Sequence, residues 1–98
     1  MVISGGYNIF PREIEEWLFK HPDIADVAVV GVPDEKWGES LRAFVVGKGG
    51  APVDAESVAA FCDGQLSGFK IPKDIVMIDS LPRNANGKVL KTELRKND

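Results

Sequence analysis

Val27-Ala28-Val29-Val30-Gly31-Val32 is a short, β-branched and nearly uninterrupted apolar run. A strand with one buried face alternates apolar and polar residues, so a run without alternation predicts a strand covered on both faces. Leu41-Arg42-Ala43-Phe44-Val45-Val46 reads as a second strand, and Asp74-Ile75-Val76-Met77-Ile78-Asp79 as a third. Between the first two, Pro33-Asp34-Glu35-Lys36-Trp37-Gly38-Glu39-Ser40 is expected to form a polar loop carrying one conspicuous tryptophan.

The covering layers follow outward from these strands. Val2-Ile3 reads as the end of a strand, and Ser4-Gly5-Gly6 lets the backbone turn or lets something lie close against it. Pro11 suits the first position of a helix, and Glu13, Glu15 and Glu16 suit its positive end. Ile14, Trp17 and Leu18 share one apolar face, and Pro22 stops the helix by disfavouring helical geometry at His21. After a turn-rich connection over 47–52, Asp54 is an N-cap for a helix with Val58, Phe61, Cys62 and Leu66 on one side, closed near Gly68. Residues 89–96 predict a short final helix. The fold class is therefore α+β: a small, mainly antiparallel three-stranded sheet with helices packed on it, a short N-terminal strand or hairpin and a short C-terminal helix.

Ninety-eight residues suit one domain spanning 1–98, with no repeat, low-complexity tract or linker. A net charge of −3 gives no basic field for nucleic acid, although the segment after Lys70 is locally richer in Lys and Arg. No apolar run is long enough for a transmembrane segment and Met1-Val2-Ile3-Ser4 is too short for a secretory signal, so the expected location is cytoplasmic. The single Cys62 has no cysteine partner for a disulfide or a metal site and is expected in the core. His21, alone of its kind, reads as a helix-end residue, and no Ser/His/Asp arrangement or metal site is expected.

The remaining signal lies in Leu81-Pro82-Arg83-Asn84-Ala85-Asn86-Gly87-Lys88-Val89-Leu90-Lys91-Thr92-Glu93-Leu94-Arg95. Asn86-Gly87 is a turn signal because both residue types tolerate positive φ, and the turn puts Lys88 at a tip. A lysine so placed presents a compact charge on a long stem, as chemistry on a phosphate or carboxylate needs; a solvated lysine beside a tight turn has the same appearance. A phosphate-binding loop is excluded, because Pro82 and Val89 occupy the places of its first glycine and its Ser or Thr.

Four segments in order carry a family likeness. Ile3-Ser4-Gly5-Gly6-Tyr7-Asn8-Ile9-Phe10-Pro11-Arg12-Glu13-Ile14-Glu15, Val29-Val30-Gly31-Val32-Pro33-Asp34-Glu35 with Trp37-Gly38-Glu39, Phe69-Lys70-Ile71-Pro72-Lys73, and Leu81-Pro82-Arg83-Asn84 with Gly87-Lys88 resemble the C-terminal domain of the AMP-forming acyl-CoA synthetases. The Trp-Gly and Phe-Lys-x-Pro-Lys details are similar to the benzoate and chlorobenzoate ligases. The resemblance implies a two-step reaction using ATP with Mg2+ and coenzyme A on a small carboxylic acid, with the C-terminal domain swinging about a hinge between steps. It implies that Lys88 is the adenylation lysine, that Gly5 and Gly6 line the pantetheine channel, and that Trp37, Phe69 and Lys73 contact coenzyme A. Tyr7 departs from the family's usual Glu and Ile71 from a basic residue of the nearest relatives. The resemblance also implies a partner, an N-terminal adenylation domain outside this chain, so the chain alone is expected to be inactive. The competing expectation is a free-standing regulatory module that binds a nucleotide or a protein.

Overall fold

The computed structural model describes residues 2–36, 38–66, 68–72 and 74–96. Its strands are β1 (Val2–Ser4), β2 (Tyr7–Ile9), β3 (Ile24–Asp34), β4 (Gly38–Gly47) and β5 (Asp74–Met77). Its α-helices are α1 (Pro11–Leu18), α2 (Ala55–Cys62) and α3 (Lys91–Lys96), with 3-10 turns at Lys48–Gly50 and Gly68–Lys70. β1 and β2 form an antiparallel hairpin, and the main sheet runs β3-β4-β5.

The sheet is mixed. β3 pairs antiparallel with β4, Val29 opposite Ala43, but β5 runs parallel to β4, Ala43 opposite Ile75. The cause is the connection: α2 lies between β4 and β5 in the chain, and such a helical crossover returns the chain in its original direction.

Both faces of β3 are covered, as its unbroken apolar run predicts. Val27 and Val29 join Leu41, Ala43 and Val45 under Val2, Ile9, Ile14, Leu18, Val58 and Cys62. Ala28, Val30 and Val32 join Phe44 on the opposite face under Leu81 and Leu94. The hairpin, α1 and α2 thus clothe one side, and the segment from Leu81 to α3 clothes the other.

The local signals behave as their chemistry directs, with four exceptions. Pro11 stands at the start of α1, and the Asp54 carboxylate accepts the Ser57 amide at 2.8 Å to cap α2. His21 is 5% exposed; its Nδ1 accepts the Asp23 amide at 3.0 Å, so in the neutral ring the proton sits on Nε2, 3.0 Å from Ser57 Oγ. The ring fastens the end of α1 to the first turn of α2. The expected loop over 33–40 is instead mostly strand: Pro33 pairs with Glu39 and Asp34 with Gly38, and an edge strand tolerates Pro33. α2 ends at Cys62 rather than near Gly68; Gly64, at φ +78°, follows its end. The final helix starts at Lys91, because Val89 is held opposite Arg83 in an isolated bridge. Of Glu13, Glu15 and Glu16 only Glu13 lies in the first turn of α1; Glu16 pairs with Arg12 on the same helix and Glu15 bonds two other elements, so the helix dipole is not the main partner of those two.

Candidate functional site

Lys88 sits on a turn whose shape is set by Asn84. The Asn84 carbonyl accepts the Gly87 amide at 2.9 Å, and its amide donates to the Lys88 carbonyl at 2.9 Å. Its side-chain Oδ1 accepts the amides of Asn86 and Lys88 at 2.9 and 3.0 Å. This is an Asx-type arrangement in which one short side chain satisfies two backbone donors. Gly87 takes φ +83°, whereas no described non-glycine residue has positive φ, so Asn86 is not left-handed as its residue type allows. The Asn84 side chain performs the work expected of Asn86, and the signal for it, an Asn two residues before the Asn-Gly pair, was in the sequence.

The Lys88 side chain is exposed and has no ion-pair partner among the described residues. Around it, Glu15, Phe19, Arg83, Asn84 and Lys91 line an open cleft of about 700 Å³. Glu15 Oε2 accepts the Val29 amide at 2.8 Å and lies 3.0 Å from Lys91 Nζ. An edge strand presents amides with no strand partner, and this carboxylate occupies one of them while holding the start of α3. Sequence reasoning placed Glu15 at a helix start; nothing in its spacing points to the strand edge.

Gly5 and Gly6 are the two central residues of the β1–β2 turn, at φ +57° and +85°, with Ser4 opposite Tyr7. Both positions are left-handed, which two-residue hairpins favour and side chains resist. A Cβ at Gly6 would meet nothing within 4 Å, so the space beside the turn tip is open. The hairpin is fastened at its first strand, where the Ile3 amide donates to Glu39 Oε1 at 3.2 Å.

The two tips are separate. Val2 and Ile9 of the glycine hairpin pack on one face of the sheet, while Leu81 and Leu94, flanking Lys88, pack on the other. Trp37 and Lys73 lie outside the described residues, as does the side chain of Phe69, whose backbone falls in the turn Gly68–Lys70. Among the described residues no group of three or more His, Cys, Asp or Glu is placed to hold a metal, and no helix is long and apolar enough to cross a membrane. Cys62 is buried, and desolvation pushes its thiol pKa up, the opposite of what a reactive thiol needs.

A clothed sheet with a bare glycine tip on one side and a clamped lysine tip on the other defines a small α+β module that offers its chemistry outward rather than enclosing it. Residues 13–88 match the family model of the AMP-binding enzyme C-terminal domain, and the chain belongs to that family. It is 48% identical over 95 residues to the 3-[(3aS,4S,7aS)-7a-methyl-1,5-dioxo-octahydro-1H-inden-4-yl]propanoyl:CoA ligase of Rhodococcus jostii (strain RHA1), covering 97% of this chain and 18% of that protein. It is 50% identical over 95 residues to the indoleacetate–CoA ligase of Aromatoleum aromaticum (strain DSM 19018 / LMG 30748 / EbN1), covering 97% and 19%. The ATP-bound crystal structure of MatB from Rhodopseudomonas palustris superposes with a TM-score of 0.92 at 43% identity, over 99% of this chain and 19% of that one. The chain thus spans about a fifth of the length of the relatives it matches.

Proposed function

We propose that the chain, one domain over 1–98, works as the mobile C-terminal domain of an ATP-dependent, AMP-forming carboxylic acid–CoA ligase. In the first half-reaction a carboxylate oxygen bonds to the α-phosphorus of ATP and pyrophosphate leaves. In the second, the thiol of coenzyme A bonds to the acyl carbon, AMP leaves and the thiol proton passes to solvent or a base. The acid, ATP and Mg2+ are held mainly by the adenylation domain of the same polypeptide, in the cytoplasm.

The observation that carries this reading is Lys88, an exposed ammonium on the outgoing arm of a turn stiffened by Asn84 and Arg83. Two anionic groups must be brought together in adenylation, and a cation bridging the carboxylate and α-phosphate oxygens offsets their repulsion where charge builds up. The turn fits that role: the amides of Asn86, Gly87 and Lys88 and the carbonyls of Asn84, Gly87 and Lys88 all find partners within it, leaving the side chain to extend. Gly5 and Gly6 serve the second half-reaction by letting the pantetheine chain pass a backbone without Cβ atoms, and Trp37, Phe69 and Lys73 meet coenzyme A.

The reading is tested by Lys88→Ala in the full-length ligase. Adenylate formation should fall by about 10²–10³-fold, the usual cost of removing one such electrostatic contact. Thioester formation from supplied acyl-adenylate should be unchanged. An equal loss in both half-reactions refutes the assignment, and tight binding of coenzyme A by the isolated chain favours a regulatory module instead.

A further inference from the structure

Arg83 joins two places that the chain keeps far apart. Its Nη1 donates to the Gly87 carbonyl at 2.6 Å, and its Nη2 lies 2.6 Å from Asp26 Oδ2. Gly87 immediately precedes Lys88, and Asp26 lies in β3, so one guanidinium ties the tip of the lysine turn to the edge of the sheet. Asp26 is itself oriented, because its Oδ1 accepts the Val27 amide at 3.0 Å. The outgoing stem is held independently, by Lys91 against Glu15. Inside the turn, Asn84 keeps the local shape without help from Arg83. Removing Arg83 therefore leaves a turn of the same shape that has lost its tie to β3 near Gly87 and keeps only the hold on its stem.

We propose that Arg83 is a positioning residue for Lys88, acting through the Gly87 carbonyl and Asp26 on the adenylation half-reaction alone. The inference rests on the reading of Lys88 given above. A lysine stem is long and flexible, so the ammonium arrives where it is needed only if its backbone is delivered accurately, and a displacement near 1 Å is enough to cost about 10²-fold in rate. Arg83 and Asp26 are 40% and 23% exposed, and a pair so open to water adds little to stability. Its effect is therefore on rate rather than on folding. Lysine replaces it only in part, because a single ammonium lacks the planar fork that reaches both partners at once.

Arg83→Ala, Arg83→Lys and Asp26→Asn are to be measured in the full-length ligase, alone and combined with Lys88→Ala. Arg83→Ala should lower kcat for adenylation about 10- to 100-fold with KM for ATP within about twofold, and leave thioester formation from supplied acyl-adenylate unchanged. Arg83→Lys and Asp26→Asn should fall between. In the Lys88→Ala background Arg83→Ala should cost nothing more, since it acts through Lys88. In the 98-residue chain, amide exchange at Gly87 and Lys88 should stay unchanged in Arg83→Ala, because Asn84 holds both amides within the turn, and the unfolding midpoint should stay put. An additional loss on top of Lys88→Ala, an equal loss in both half-reactions, or unchanged adenylation by Arg83→Ala overturns the proposal. If Lys88→Ala itself leaves adenylation intact, the reading of Lys88 fails and takes this proposal with it; if Lys88 is required and Arg83 is not, only this proposal fails.

Discussion

Val2 rests against Gly31. A methyl group added at Gly31 would come 2.8 Å from Val2 Cγ2 and 2.7 Å from Glu39 Oε2. Gly31 interrupts the β-branched run of β3 where Val2 of the N-terminal hairpin lies against it, and the missing side chain lets Val2 reach 1% exposure. The same Glu39 accepts the Ile3 amide, so glycine and carboxylate together seat the hairpin that carries Gly5 and Gly6.

Gly31→Ala should destabilise the chain by about 1–3 kcal/mol, the usual cost of overpacking a filled core. The Glu39 side chain can swing away, but Val2 is stiff and held in a strand, so the hairpin itself must shift. Urea denaturation of the 98-residue chain measures the loss. A change under about 0.5 kcal/mol, the level of an ordinary surface substitution, shows that the hairpin is not seated on Gly31.

At Gly6 the reason for glycine is different. Space is open there, yet φ is +85°, so Gly6→Ala should cost about 1–2 kcal/mol through backbone conformation alone. Asparagine, which tolerates the left-handed region better, should cost less than alanine, and valine more. In the full-length ligase the valine variant should also slow thioester formation while sparing pyrophosphate exchange. Equal stability of the alanine, asparagine and valine variants would show that the turn does not hold this conformation in solution.

These cases show what the sequence made legible. The two-sided burial of Val27 and Val29 on one face and Ala28 and Val30 on the other was readable because no polar residue breaks the run. The glycine pair and Asp54 were readable because each residue type has a strong local preference. The direction of β5 was not, because the apolar pattern of a strand is the same in either direction and only the crossover through α2 decides. Residues 33–40 looked like a loop because polar side chains past the edge of the core carry no burial pattern; there the pairing rests on backbone hydrogen bonds. Within the site, Lys88 stood out beside Asn-Gly, but Asp26 and Glu15 meet the lysine segment only across 57 and 76 residues of chain respectively, as Arg83 and Lys91 show. No local rule reaches that far.

Asp54 joins a cap to a longer link. It accepts the Ser57 amide, and Ser57 Oγ meets the buried His21 at the end of α1. Asp54→Ala should cost about 1 kcal/mol, the usual worth of an N-cap carboxylate, and Asp54→Asn much less, because the amide oxygen still accepts the bond. Equilibrium unfolding resolves the difference, and identical losses for the two variants would mean that charge, rather than capping, is what Asp54 supplies.

Burial of Cys62 gives the chain an alkaline signature. Desolvation raises the thiol pKa in the folded state, so a pH window opens between the ordinary value of an exposed thiol and the raised one. Within that window the unfolded chain has released the proton and the folded chain has kept it. Stability is therefore full below the ordinary thiol value and falls as pH rises from there through the folded value, because the folded state binds more protons. Wild type and Cys62→Ala should both weaken at high pH as their shared groups titrate, but wild type should lose stability more steeply across that window. Urea midpoints between pH 7 and pH 10 compare the slopes, and a thiol reagent should label the native protein only at the rate of unfolding. Parallel curves with rapid native labelling would place the thiol in contact with water, against a side chain that is fully buried under α1 and the sheet.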